Sequence, residues 1–382
     1  MELKKLAFIV GTRPEAIKMA PIIQAAAQDP GFQSVVVATA QHRELLDEAL
    51  RWFGVTADHD LALMEPDQQV HTLLAHAVPR LVALLAAEKP DWVIVQGDTT
   101  TTFCAALAAF YQAIPLGHVE AGLRTRDLYS PFPEEANRRM TDVLARQCFA
   151  PTHQARANLL AEGIPPERIA VTGNTGIDAL FALRDGETTA AREAPACLDG
   201  LDPATRIVLV TMHRRESFGQ PLQRVCRALR RLALEHPDVV ILFPVHPNPN
   251  VQRPVHQQLG GSPRVRLVAP LAYPEFVHLM RRATLVLTDS GGIQEEAPSL
   301  GKPVLVLREL TERPEGVDAG VAVLVGTDED RIIAEASRLL NDRKAYEAMA
   351  RFVNPYGDGK AATRILDILK TITGSREREG QK

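Results

Sequence analysis

The stretch Trp92–Val119, WVIVQGDTTTTFCAALAAFYQAIPLGHV, decides the fold. Its first run, Trp92–Gln96, is short and mostly apolar, as a buried strand is. A Gly-Asp-Thr turn follows, then an Ala-rich helical stretch over Thr102–Gln112, then a second apolar run, Leu116–Val119. Two such strands joined by a helix are one repeat of a parallel sheet covered on both faces.

The same rhythm extends in both directions. Leu6–Val10 and Val35–Ala38 read as strands, with helices over Pro14–Gln28 and Gln68–Glu88. Downstream, strands Cys148–Ala150 and Ile169–Thr172 flank a helix over Gln154–Glu162. Between Arg184 and Thr205 no period holds, which marks the approach to a second domain. Strands then resume at Ile207–Thr211, Val239–Pro244, Val265–Val268, Leu285–Thr288 and Val304–Leu307. Helices around Leu222–Glu235, Pro274–Arg281 and Ile293–Leu300 separate them. The expected fold class is therefore α/β, with two Rossmann-like, doubly wound domains. The charged tail Ser375–Lys382 is expected to fray.

Composition agrees. A chain of 382 residues is too long for one ordinary domain. Hydrophobic residues at 46% and charged residues at 24% match a globular protein and exclude collagen-like or disordered chains. With 43 basic and 47 acidic residues the net charge is -4, which argues against a nucleic-acid binder whose affinity rests on a basic face, although a neutral total leaves room for a local patch. Aromatics at 5% leave few stacking platforms. Cys104, Cys148, Cys197 and Cys226 are widely spaced with no C-x-x-C pair, so reduced core thiols are expected rather than a disulfide frame or a zinc site. The N-terminus lacks signal-peptide features, and no run reaches the about 18 consecutive apolar residues of a membrane span. The expectation is a cytoplasmic protein with no membrane partner and no metal.

In open α/β sheets ligands bind at the carboxyl ends of strands, and the chemistry-bearing residues of this chain follow its strands. The first strand ends in Gly11-Thr12-Arg13-Pro14-Glu15, with Lys18 one turn on. This is neither a G-x-G-x-x-G nor a Walker A loop. Arg13 and Lys18 oppose the helix dipole, as solvated surface charges or as parts of an anion site. Asp98 follows Trp92–Gln96 and either caps the next helix or serves as a general base. Glu120 follows Leu116–Val119, and Glu134 and Glu135 suit a helix start. Convergence of Asp98, Glu120 and Glu134 would raise at least one of their pKa values through repulsion and burial.

In the second half, Thr211-Met212-His213-Arg214-Arg215-Glu216 presents His213, a phosphate donor or proton carrier. A Pro-locked loop, Pro244–Pro249, presents His246. Thr288-Asp289-Ser290-Gly291-Gly292 then runs from a strand straight into a helix. Bare glycine backbone there is a diphosphate site or only a tight turn. Glu296, about one turn into that helix, is placed for a ribose diol, and Thr311-Glu312-Arg313 follows the next strand.

In this order and spacing, these words resemble the non-hydrolysing UDP-N-acetylglucosamine 2-epimerases over nearly the whole chain. The likeness runs from Gly11–Pro21, through Gly97–Thr101, His118–Thr125, His213–Glu216 and Ser290–Gly292, to Asn354–Gly359. It implies a GT-B-like fold with the active site in an interdomain cleft. One domain would span 1–174 with a crossover helix in 360–382, and a UDP-binding domain would span 175–359. The family's nucleotide contacts fall on Arg13, His213, Phe276, Ser290, Gly291, Gly292, Glu296 and Arg313, and His246 joins them as a substrate-binding candidate. Its sugar-side and acid/base residues fall on Lys18, Asp98, Glu120, Glu134, Arg138 and His213. Two departures stand out. Leu271 occupies a variable uracil-side position, and Gln41-His42-Arg43-Glu44 keeps only the first of two glutamines used by substrate-activated members.

The implied reaction is reversible epimerisation at carbon 2 of UDP-N-acetylglucosamine to UDP-N-acetylmannosamine. UDP leaves by anti-elimination to a 2-acetamidoglucal and adds back, without NAD, in a homodimer that feeds cell-surface polysaccharide synthesis. The competing expectations are a hydrolysing relative, a GT-B glycosyltransferase, a catalytically silent UDP-sugar sensor and an epimerase of a diacetamido uronic acid sugar.

Overall fold

The computed structural model describes residues 3–39, 43–63, 68–186, 194–351 and 354–372. Gln41, His42 and the tail Ser375–Lys382 lie outside the described residues. The chain divides into two compact units, Met1–Thr189 with Tyr356–Lys382, and Ala190–Pro355.

In the first unit β1 (Lys4–Val10) leads to α1 (Arg13–Gln28), β2 (Phe32–Ala38), α2 (Arg43–Trp52) and β3 (His59–Asp60). Then come α3 (Val70–Glu88), β4 (Trp92–Gln96), α4 (Thr100–Tyr111), β5 (Leu116–Val119) and α5 (Glu134–Leu144). It continues with β6 (Gln147–Ala150), α6 (His153–Ala161), β7 (Ile169–Val171) and α7 (Thr175–Arg184). The second unit runs β8 (Arg206–Thr211), α8 (Gln220–Glu235), β9 (Val239–Pro244), α9 (Pro249–Leu259), β10 (Val265–Val268) and α10 (Tyr273–Arg282). After these come β11 (Leu285–Thr288), α11 (Gly291–Ser299), β12 (Val304–Val306), α12 (Pro314–Asp318), β13 (Ala322–Leu324), α13 (Glu329–Asn341) and α14 (Arg343–Met349). The last helix, α15 (Ala361–Thr371), packs on α1 and α7 of the first unit.

Every strand pair is parallel. The first sheet has the order β3-β2-β1-β4-β5-β6-β7 and the second β10-β9-β8-β11-β12-β13. Both are the doubly wound α/β arrangement read from the sequence. In each, strand order reverses beside the first strand, between β1 and β4 and between β8 and β11. Crevices open at such reversals, because the flanking loops run to opposite faces of the sheet.

In the first unit, alternate residues of β1 and β4 (Ala7, Ile9, Val93, Val95) pack against α3 and α4 through Leu73, Ala77, Leu81, Leu85, Cys104 and Ala108. The matching core of the second unit joins β8 and β9 to α8 and α13. All four thiols are free; Cys104, Cys148 and Cys226 are buried and Cys197 is half-buried.

The structure adds helices α2, α7, α9, α12, α13 and α14 to those read from the sequence, and three further details differ. Helix α3 has the length and mean hydropathy of a membrane span. Its Leu73, Ala77, Leu81 and Leu85 stripe nevertheless belongs to the first core, while His71, His76 and Arg80 are exposed. Strands β3 and β13 were not anticipated, because two or three residues are too few to show a period. Helix α4 starts at Thr100, earlier than read, because the Thr99 side chain accepts the Thr102 N–H and caps it.

Helix α15 has no side-chain cap of its own. Asp178 of α7 supplies one: its Oδ1 accepts the Ala362 N–H at 2.8 Å. At the other end Lys4 Nζ donates to the Leu369, Lys370 and Ile372 carbonyls at 2.6, 3.0 and 2.7 Å. Burial pushes the Asp178 carboxyl up from 3.8 to about 6, against the pull of its backbone hydrogen bonds. The folded state therefore binds this proton more tightly than the unfolded chain. Stability from this group is complete below pH 3.8 and is lost as pH rises through about 6. Asp178→Asn keeps an acceptor without the buried charge. It is expected to stabilise at neutral pH by on the order of 1–3 kcal/mol, seen as a higher Tm, with the gain shrinking as the pH of the melt is lowered toward 4. A gain that does not depend on pH would contradict the assignment.

Candidate active-site clusters at the strand ends

The reversal in the first sheet brings the β1–α1 and β4–α4 loops together. A Cβ at Gly11 would lie 2.5 Å from Thr101 Oγ1 and 2.6 Å from Thr39 Oγ1, so only glycine lets these loops approach. Glu15, buried in the first turn of α1, joins them. One carboxylate oxygen accepts the Gly11 and Thr12 N–H groups at 2.6 and 3.0 Å. The other accepts the Thr99 and Thr102 hydroxyls. Burial raises the Glu15 pKa, its hydrogen bonds oppose this, and the Asp98 charge adds to the rise.

Because Thr99 is the cap of α4, Asp98 is released from capping. Its Oδ2 meets Arg138 Nη2 at 2.5 Å, and its backbone carbonyl accepts from Asn137 at 3.0 Å. Glu120 follows β5 in the left-handed region at φ 66°, where a non-glycine residue needs support from its surroundings. It pairs with Lys18 Nζ and accepts from Gln96 at 3.1 Å. Glu134 is half-buried at the first position of α5. Arg13 is exposed at the first position of α1. Of the three carboxylates whose repulsion was expected on convergence, Asp98 and Glu120 are each paired with a cation, Arg138 and Lys18.

In the second unit the β8 and β11 loops meet in the same way. Thr211 and Thr288 hydroxyls lie 2.6 Å apart. Asp289, fully buried, accepts the His213 and Arg214 N–H groups at 2.9 Å and the Ser217 hydroxyl at 3.0 Å. The His213 ring stacks on His246 with centroids 5.6 Å apart. His246 is exposed just after β9. Burial lowers the His213 pKa; Asp289 opposes this, while Arg214 and His246 add to it. His213 is thus mainly neutral near pH 7, able to accept a proton or to donate one N–H.

Ser290 precedes α11 without capping it through its side chain. A Cβ on Gly292 would meet open space, whereas at Gly291 it would lie 3.3 Å from the Arg313 guanidinium. Arg313 is held there by Glu295 at 2.7 Å. A guanidinium thus lies beside the N-terminus of a helix, and both attract an anion. Tyr273 has its hydroxyl buried, and burial and then the Glu296 charge push it well above the ordinary tyrosine range. Phe276 and Leu271 are half-buried near the start of α10.

Among the candidates the structure pairs Asp98 with Arg138 and Glu120 with Lys18 in the first unit, and in the second it stacks His213 on His246 and sets Arg313 over Gly291. Sequence reasoning did not assign Glu15, Asp289 or Glu295, all of which hold loops or side chains in place. The signal available was an acidic residue beside each turn motif. A shallow hollow of about 490 Å³ on the β10 edge, lined by Cys197, His256 and Arg266, holds none of the candidates. Among the described residues no cluster of His, Cys, Asp or Glu could hold a metal.

Two doubly wound units with polar clusters at their strand ends define an α/β enzyme of Rossmann-like build. The family model described as UDP-N-acetylglucosamine 2-epimerase matches residues 24–370. The UDP-N-acetylglucosamine 2-epimerase of Escherichia coli K12 is 54% identical over 369 residues, covering 96% of this chain and 98% of that protein. The UDP-GlcNAc 2-epimerase of Neisseria meningitidis, solved bound to UDP-GlcNAc, superposes with a TM-score of 0.88 at 46% identity, covering 96% of this chain and all of that one. The Methanocaldococcus jannaschii UDP-GlcNAc 2-epimerase, solved with UDP-GlcNAc and UDP, gives 0.77 at 32% identity, covering 96% and 99%. The chain belongs to the UDP-N-acetylglucosamine 2-epimerase family, and it is an isomerase by class.

Since Asp289 favours the His213 imidazolium, Asp289→Asn should move the His213 titration midpoint lower still. Histidine-selective NMR titration of the two proteins checks this. An unchanged or higher midpoint would mean that Asp289 does not face the ring.

Proposed function

We propose that this protein interconverts UDP-N-acetylglucosamine and UDP-N-acetylmannosamine by eliminating and re-adding UDP across carbons 1 and 2 of the sugar. The carbon-2 hydrogen is not adjacent to a carbonyl, so direct enolisation is not open to it. Asp98 takes that proton while the bond from carbon 1 to UDP breaks with its electron pair. The product is a 2-acetamidoglucal. UDP then attacks carbon 1 as a proton arrives at carbon 2 from the opposite face, with Glu120 and Glu134 delivering or orienting it. Arg138 aims Asp98, and Lys18 aims Glu120, through charge-assisted hydrogen bonds. UDP is assigned to the second cluster. Its diphosphate would take His213, the Ser290–Gly292 backbone and Arg313, and the family resemblance adds Arg13 to its contacts. Its ribose would take Glu296, and its base Phe276 and Leu271. His246 would add a second ring beside His213.

The observation that carries this reading is the Asp98–Arg138 ion pair at a β4 strand end, in a chain whose relatives are solved with UDP-GlcNAc. Free thiols, three of them buried, fit work in the reducing cytoplasm, where nucleotide sugars are made into surface polysaccharides. Asp98→Asn is expected to lower turnover by on the order of 10²–10⁴-fold and to stop solvent deuterium from entering carbon 2. Undiminished exchange would remove Asp98 from the base role.

A homodimer completes the proposal. Helices α3, α4 and α5 pack side by side on one face of the first sheet. They leave Phe110, Tyr111 and Val143 exposed at 58%, 63% and 65% near the C-terminal ends of the adjacent helices α4 and α5, and exposed apolar side chains on neighbouring helices mark an interaction surface. Val143→Glu with Phe110→Glu should convert the dimer to a monomer in sedimentation velocity. A dimer that persists would place the interface elsewhere.

A further inference from the structure

His118 is wholly buried at the end of β5, two residues before Glu120. Neither of its ring nitrogens faces a donor. Nδ1 lies 2.7 Å from Asp142 Oδ1, and Nε2 lies 2.7 Å from the Gly97 carbonyl oxygen. A neutral imidazole carries one N–H and would leave one of these contacts as lone pair against lone pair. The Asp142 carboxyl does not supply the missing proton. Arg124 Nη2 and the Gly122 N–H both donate to its Oδ2, which favours the carboxylate. Asp142 Oδ2 meets Arg124 Nη2 at 2.6 Å, and Arg124 meets Glu162 at 2.7 Å. At its exposed end the row closes on Glu162, which Arg139 also meets at 3.3 Å.

The row connects the three elements that carry the acid/base candidates. Glu134, Arg138 and Asp142 are spaced by four on α5 and share one helix face. Arg138 holds the Asp98 side chain, Asn137 its carbonyl, and His118 the carbonyl of the residue before it. Asp142 also accepts the Gly122 N–H at 3.3 Å, just beyond Glu120 and its left-handed backbone. The Gly97–Asp98 and Glu120–Gly122 turns therefore both rest on the His118–Asp142 pair.

We infer that His118 is a buried imidazolium that acts as a positioning residue for Asp98 and Glu120. It touches no substrate in this account. Its two N–H groups fix the β4 turn relative to α5, so that the carbon-2 base and the return acid keep their places through the reaction. The catalytic part rests on the epimerase reading above; the protonation state does not.

The test has two arms. In protein labelled with ¹⁵N-histidine, wild-type His118 should show protons on both ring nitrogens at neutral pH. A neutral, singly protonated ring would overturn the inference whatever the enzyme does. In the second arm, His118→Asn keeps an amide near Nδ1 for Asp142 and loses the Gly97 contact, whereas His118→Gln can reach toward Gly97. Both variants should melt cooperatively and bind UDP within about twofold of wild type. The kcat of His118→Asn should fall about 100-fold, the scale of a misplaced catalytic group, with KM within about threefold; His118→Gln should recover part of that loss. A kcat within about threefold of wild type, or equal loss of kcat, KM and UDP affinity, would overturn it. If neither variant folds, the spectrum of the wild-type ring decides. Wild-type protein that fails to turn over UDP-N-acetylglucosamine would refute the epimerase reading and leave the imidazolium assignment standing.

Discussion

A carboxylate can serve as a base only where its negative charge is tolerated, and the first unit is arranged around that constraint. Asp98 is met by Arg138, and Glu120 by Lys18. Each cation comes from a helix, α5 or α1, and each carboxylate from a strand-end loop. The pairs therefore join the helices to the loops as well as neutralising charge. Partly buried pairs of this kind add little net stability, because desolvation offsets the attraction. Their contribution is geometric: they set which oxygen faces outward and keep the others occupied.

The second unit meets the opposite demand. Its β8 and β11 loops are held by one buried anion, Asp289, which takes two backbone N–H groups and a hydroxyl. The His213 ring above it is left neutral by burial, and Arg313 lies over Gly291 at the start of α11. The first cluster thus presents carboxylates and the second presents donors and positive helix ends. A near-neutral total of 43 basic and 47 acidic residues conceals this division.

Much of this was legible in the chain itself. Parallel strands buried on both faces read as continuous apolar runs, so β1, β4, β5, β8, β9 and β11 could be placed closely. Loop residues that follow such strands could be named as candidates. The legible part ended where partners had to be known. Asp98 as a helix cap and Asp98 as a base look identical in sequence, and only the Thr99 hydroxyl on the Thr102 N–H separates them. Repulsion among Asp98, Glu120 and Glu134 was a fair expectation from spacing, yet Lys18 and Arg138 lie 102 and 40 residues from their partners. His118 sat inside a recognised word, but its two acceptors come from another loop and another helix. The apolar length of α3 likewise says nothing of which of its residues face the core.

The central claim is that the sugar loses its carbon-2 proton and its UDP together and regains both. An NMR time course of wild-type protein with UDP-N-acetylglucosamine in deuterated water tests it most directly. The account predicts deuterium at carbon 2 in both nucleotide sugars, with UDP still attached to the sugar and no NAD added. Epimerisation without exchange, or release of free N-acetylmannosamine as the main product, would contradict it.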